Sequence, residues 1–277
     1  MFHRSLTQST VFICALMLSA CGGGSSGLPA EEPPSPPITS PLTVPGAYLA
    51  SLNGKDWVSI LLRTASGSGS VTNFYSLHFI ATDPDIYSGS GLITGTTSAL
   101  LPRIFYYPNI SGAVRTGTGT IDNLGNGAIR TSLSFPAIGL EQAKDLTVAA
   151  SQPSTYANNL PANLNSIQGT WKGRWSYGLG FVDNFSVNIS GQGELTTSLA
   201  FQQDCLLTQG QLTPNFDGTN LFNFALTIPN ATQCSLKSQT LNGAAFVTNS
   251  PIAGKTQRLF IVGVTPDGRG ISFKADR

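Results

Sequence analysis

The chain has 277 residues, only 10% of them charged, and its 15 Lys+Arg against 14 Asp+Glu leave a net charge of +1. Soluble chains carry roughly 25% charged residues, so this balance excludes the basic footprint of a nucleic-acid binder. The 40% apolar content excludes the polar, highly charged composition of a disordered chain, and no apolar run reaches the ~20 residues of a membrane-spanning helix.

In chain order, His3 and Arg4 form a short basic start, residues 11–18 an apolar core, and Leu18-Ser19-Ala20-Cys21 the exit, with Gly22 next. A basic start and a short apolar core suit a secretory signal and not a stop-transfer helix. The exit resembles the lipobox of bacterial lipoproteins at all four positions. That resemblance implies cleavage before Cys21, a thioether from its sulfur to diacylglycerol and an acylated new N-terminus. Several acyl chains, at about 0.8 kcal/mol per buried CH₂, anchor stably where one is marginal. In that family an Asp after the Cys tends to mean inner-membrane retention, so Gly22 implies the outer membrane. Residues 1–20 are therefore expected to be a signal peptide. Residues 21–45, rich in Gly and Ser and then in Pro, are expected to be a disordered tether.

Cys14 leaves with the signal and Cys21 is consumed by lipid, so Cys205 and Cys234 remain. One pair in an exported chain is expected to form a disulfide. The spacing and the lack of further ligands do not suit a metal site.

From residue 46 the pattern is strand after strand. Residues 58–62, 74–80, 91–96 and 129–135 are apolar-rich segments separated by Gly, Asn and Ser. Residues 185–190 and 222–228 alternate with period two, the signature of half-buried antiparallel strands. Residues 259–262 form a continuous apolar run, as in a central strand, and 139–145 are read as a turn or short connection. Residues 151–167 are rich in Asn, Ser and Pro and lack alternation. They read as a linker between a first β domain, 46–150, and a second, 168–277, each the size of one small domain. The two are expected to fold separately. The fold class is all-β, two tandem small antiparallel barrels or sandwiches.

The halves read as diverged copies. Gly46-Ala47-Tyr48 opens one and Gly169-Thr170-Trp171 the other, with charged clusters Lys55-Asp56-Trp57 and Lys172-Gly173-Arg174-Trp175 following. Gly169-Thr170-Trp171-Lys172-Gly173 resembles the entry motif of lipocalins, which implies a Trp packed across the closed end of a barrel; the later lipocalin signatures are not found.

Chemistry-bearing residues are few. Beyond the signal the one His is His78, on an alternating strand, so a Ser-His-Asp triad has little to draw on. A Gly-x-Ser-x-Gly at 23–27 lies in the tether, without the strand and helix a nucleophile elbow needs. Asp83-Pro84-Asp85 reads as a polar turn, and Asp183, Glu194 and Asp204 as acids beside turns. Trp171, Lys172, Arg174 and Trp175 are the most specific local feature, either an aromatic platform flanked by cations or, for the two Trp, a buried barrel plug.

The expectation is a lipid-anchored, non-enzymatic binding or scaffold module of the cell envelope without a cofactor. Its partners would be the membrane through Cys21 and either another envelope protein or a small apolar ligand, and not nucleic acid. The alternatives are a lipocalin-like carrier of a small apolar ligand and a carbohydrate-binding or degenerate hydrolase accessory.

Overall fold

The computed structural model describes residues 45–66, 69–79, 84–94, 98–108, 113–139, 142–154, 160–177, 180–197, 210–216, 218–230 and 236–277. These belong to one compact unit. Cys21 and its tether, Cys205, Cys234 and Asp204 lie outside the described residues.

Among the described residues, sixteen strands make up two barrels. The first comprises β1 (Gly46–Leu52), β2 (Lys55–Ser66), β3 (Gly69–His78), β4 (Asp85–Thr94), β5 (Ser98–Tyr107), β6 (Arg115–Gly125), β7 (Ala128–Phe135) and β8 (Lys144–Ser151). The second comprises β9 (Gly169–Tyr177), β10 (Gly180–Ile189), β11 (Glu194–Thr197), β12 (Gly210–Pro214), β13 (Phe222–Thr227), β14 (Thr240–Asn249), β15 (Gln257–Val264) and β16 (Gly270–Asp276). Within each barrel every strand pairs antiparallel with its sequence neighbours, and each meander closes, β1 on β8 and β9 on β16. The chain is thus two tandem closed eight-stranded barrels. Closure removes the sheet edges that a chain with few charges could not protect.

Local chemistry sets the turns. Asn53-Gly54 and Asn126-Gly127 both take positive φ at each position, which gives the type I′ hairpins that match strand twist. Pro102 cannot donate to a ladder, and pairing of β5 with β6 skips from Leu101 to Ile104 around it. The alternation of Gly and Thr in β6 has a packing reason. A Cβ on Gly117 would stand 2.6 Å from the Phe135 ring, and one on Gly119 2.8 Å from Ile104, so both glycines make room for large inward residues.

Both barrels are filled by side chains. Tyr48, Trp57, Phe74, Tyr87 and Phe135 crowd the first, and Trp171, Trp175, Phe185, Phe224 and Phe273 the second. The aromatic at the third residue of each opening strand, Tyr48 and Trp171, is buried in its own barrel. The charged clusters that look like counterparts fall on different strands, Trp57 on β2 and Trp175 on β9. The segment before β9 also belongs to the second barrel. A 3₁₀ turn at Leu164–Ser166, capped by the Asn163 side chain, leads to buried Ile167, whose carbonyl accepts a 2.7 Å hydrogen bond from Trp171 Nε1.

The barrels share an apolar core between them. Val58, Ile60, Leu62, Tyr75, Leu77 and Phe79 point out of the first barrel into one buried cluster with Leu221, Ala244, Phe246, Phe260 and Val262 of the second. Strands β14 and β15 are consequently buried on both faces. This explains the continuous run at 259–262: Leu259 and Ile261 fill a barrel, while Phe260 and Val262 fill the interface. Such a shared core favours folding of the two barrels together.

Candidate functional site

Where the barrels meet, a groove of about 720 Å³ lies open at the surface. Its first wall comes from Gly54, Lys55 and Asp56 in the β1–β2 hairpin and from Phe79 after β3. Its second wall comes from Lys172 and Arg174 on β9, Asp183 and Asn184 on β10, Lys255 and Ile252 between β14 and β15, Arg258 on β15, and Lys274 and Asp276 on β16. Among the described residues six basic side chains face three carboxylates, a surplus of three positive charges in a chain whose net charge is only +1.

Strand periodicity divides the most specific sequence cluster. Trp171 and Trp175 point into the barrel and are 0% and 1% exposed. Lys172 and Arg174, on the alternate positions, point outward into the groove. The two Trp therefore form no exposed platform, while Lys172 and Arg174 line the groove.

Register then places cations against one another. Arg174 sits directly opposite Lys274 across the β9–β16 ladder, a like-charge pair that costs stability unless neutralised. Two carboxylates do this. Asp183 takes Arg174 in a two-pronged pair, with Nε to Oδ1 and Nη2 to Oδ2 both at 2.7 Å. Asp183 reaches it because β10 bulges between Val182 and Phe185, where Asn184 takes φ 55°, a left-handed conformation that Asn tolerates. Asp56 of the first barrel takes Lys274 at 3.3 Å. Burial lowers the Lys274 pKa, Arg258 adds to that, and Asp56 pulls it back up. Arg258 is held by Asp276, with Nε to Oδ1 at 2.8 Å and Nη2 to Oδ2 at 3.1 Å.

The groove's paired cations are thus fixed in position. Lys55, Lys172 and Lys255 make no ion pair with the described residues and supply the free charge. Phe181, 47% exposed, lies under the Arg174 guanidinium at 4.3 Å and adds an apolar rim.

A smaller slot of about 290 Å³ adjoins the groove, sharing Asp56 and Arg258 with it. Leu49, Val58, Pro153, Pro251 and Phe260 contribute its apolar walls.

A second polar group is buried inside one end of the first barrel. Asp85, 1% exposed, accepts a 2.9 Å hydrogen bond from Tyr106 Oη, and Lys144 Nζ lies 3.4 Å from the same oxygen. Lys144 also stands 3.8 Å over the Tyr106 ring. His78 faces Asp85 across the β3–β4 ladder and packs on Trp57 at 5.4 Å, and neither of its ring nitrogens makes a hydrogen bond of good geometry. Burial pushes the His78 pKa down, the Leu52 backbone and Asp85 pull it partly back, and Lys144 opposes them. Burial likewise lowers the Lys144 pKa and raises that of Tyr87. Asp85 is therefore a buried acid at the start of β4 and not the polar turn residue the sequence suggests. Of the other acids, Asp183 is engaged by Arg174 and Glu194 is exposed on β11.

The sequence marks Lys172 and Arg174 but not Asp56, Lys255, Arg258 or Lys274 as their neighbours, because barrel closure and barrel packing bring them together. The one available signal was the charged pair Lys55-Asp56 beside Trp57. Comparison with known protein families, curated proteins and solved structures finds no match for this chain.

Proposed function

We propose that the chain is a lipid-anchored, non-enzymatic binding module of the outer membrane and that the groove between its barrels takes an anionic ligand. The observation that carries this reading is the surplus of three positive charges in a 720 Å³ groove, with Lys55, Lys172 and Lys255 free of ion pairs to the described residues. A groove of that volume is in the usual range of ligand clefts, about 300–1,000 Å³. Barrels packed with Trp171, Trp175 and Phe185 support recognition on the outside of the fold. The lipobox and the Pro-rich tether after it support attachment through Cys21 at a distance from the bilayer.

Retention on immobilised dextran sulfate tests the groove. The chain is expected to bind and to elute with salt, because screening weakens exposed charge interactions. It should ignore neutral dextran, and Lys172→Glu with Lys255→Glu should abolish retention. Unchanged retention of that variant overturns the reading. For the anchor, Cys21→Ser is expected to move the chain from the membrane to the soluble envelope fraction, and persistence in the membrane counts against it.

A further inference from the structure

Resting on the reading of the groove as an anion site, we infer that groove and slot form one site for a detached, single-chain anionic amphiphile. Its charged head would lie among the groove lysines and its tail in the slot. Three observations carry this. The two cavities adjoin, since Asp56 and Arg258 line both. Their chemistry differs: lysines crowd the groove, whereas the slot is walled by Leu49, Val58, Pro251 and Phe260, with Thr248 and Asn249 as polar members, and among the described residues has no charged side chain beyond the shared pair.

The shared pair also keeps the junction from being a fourth binding charge. Arg258 is held two-pronged by Asp276 and Asp56 is held by Lys274, so the head is left to Lys172, Lys255 and Lys55. Lysines act as flexible point charges and accept phosphate or carboxylate without the planar match an arginine fork demands. The slot's size selects the tail. At about 290 Å³ it holds roughly ten groups of ~30 Å³, the volume of one water in the liquid. That is one short alkyl chain and not the two chains of a bilayer phospholipid.

Calorimetric titration of the full chain carrying Cys21→Ser, which removes the expected acyl anchor and the need for detergent, tests the proposal with three probes. Dodecyl phosphate below its micellar concentration is expected to bind at least about tenfold tighter, 1.4 kcal/mol, than inorganic phosphate or dodecyl maltoside. Lys172→Ala with Lys255→Ala should weaken dodecyl phosphate and leave the maltoside unchanged. Ser154→Trp, at an exposed residue lining the slot, should weaken dodecyl phosphate and leave dextran sulfate retention intact.

Equal affinity for phosphate and dodecyl phosphate overturns the tail assignment but leaves the groove an anion site. Equal affinity for the maltoside overturns the head assignment. If dodecyl phosphate fails to bind while dextran sulfate still retains the chain, the inference falls alone; if both fail, the reading beneath it falls too. Flotation of the same chain with phosphatidylglycerol vesicles separates the sources. No flotation is expected, and flotation that Ser154→Trp abolishes would overturn a detached ligand in favour of bilayer lipid.

Discussion

Lys274 on the last strand of the second barrel reaches Asp56 of the first at 3.3 Å, and its ammonium stands 4.4 Å over the ring of Phe79 beside that acid. Phe79 in turn meets Phe260 of the second barrel at 6.2 Å between ring centroids. One cation therefore marks the boundary between two regimes. Beneath it the barrels share an apolar core, and above it the groove is open and charged. The same strands that hold the barrels together shape the proposed site.

The exposed side of this boundary can be altered at little cost. The Asp56 side chain is 65% exposed, and ion pairs of that kind contribute about 0–1 kcal/mol. Asp56→Asn is expected to leave the urea midpoint nearly unchanged while raising the salt needed to elute the chain from dextran sulfate. Earlier elution would contradict the idea that groove charge governs binding.

The buried side behaves differently. Phe246 is 0% exposed and stacks on Phe260 at 5.1 Å inside the shared core. Phe246→Ala should cost about 3–5 kcal/mol, the range for removing a buried aromatic. The parent chain should unfold in a single transition by fluorescence and circular dichroism alike. Separate transitions for the two barrels would show that the shared core does not couple them.

Cys205 and Cys234 are the two cysteines outside the expected signal and anchor, in a chain expected to be exported. If they are bridged, the closed loop of about 29 residues contributes roughly 3–4 kcal/mol by chain entropy. Mass spectrometry should find the unreduced chain about two hydrogens lighter, and reduction should lower its urea midpoint. A chain at full mass with an unchanged midpoint would remove the bridge.

The strands were largely legible. Period-two alternation at 185–190 and 222–228 marks β10 and β13, whose inward residues fill a barrel core. What the chain hides is every relationship that depends on closure or packing. Residues 259–262 look like any central strand, and nothing local says that one of their faces meets another barrel. His78, Asp85 and Lys144 look unrelated, because the β3–β4 register joins the first two and the barrel end brings in the third, 59 residues beyond Asp85. Lys172 and Arg174 were visible as a cluster, but Asp56 and Lys255, far away in the chain, complete their groove only after folding.

That interior cluster makes its own prediction. Removing one partner of a buried ion pair strands the other charge and costs about 3–5 kcal/mol. Lys144 is 25% exposed in its side chain while Asp85 is only 2% exposed, so Lys144→Met should fall toward the lower end. Lys144→Met with Asp85→Asn removes both charges and should recover part of the loss in urea unfolding. A double variant no more stable than the single one would show that the pair is not a unit.

Acid should act on the same end of the barrel through His78, whose pKa burial lowers below the ordinary 6.5. Asp85 partly restores that pKa, Lys144 opposes it, and burial keeps the Tyr87 hydroxyl protonated. Because the folded state resists the proton that the unfolded chain accepts, His78 favours folding fully above about pH 6.5 and loses that contribution as pH falls below it. The urea midpoint should therefore drop between pH 7 and pH 5. His78→Phe keeps a ring against Trp57 and should flatten that drop. An equal drop in parent and variant would place the acid sensitivity elsewhere in the fold.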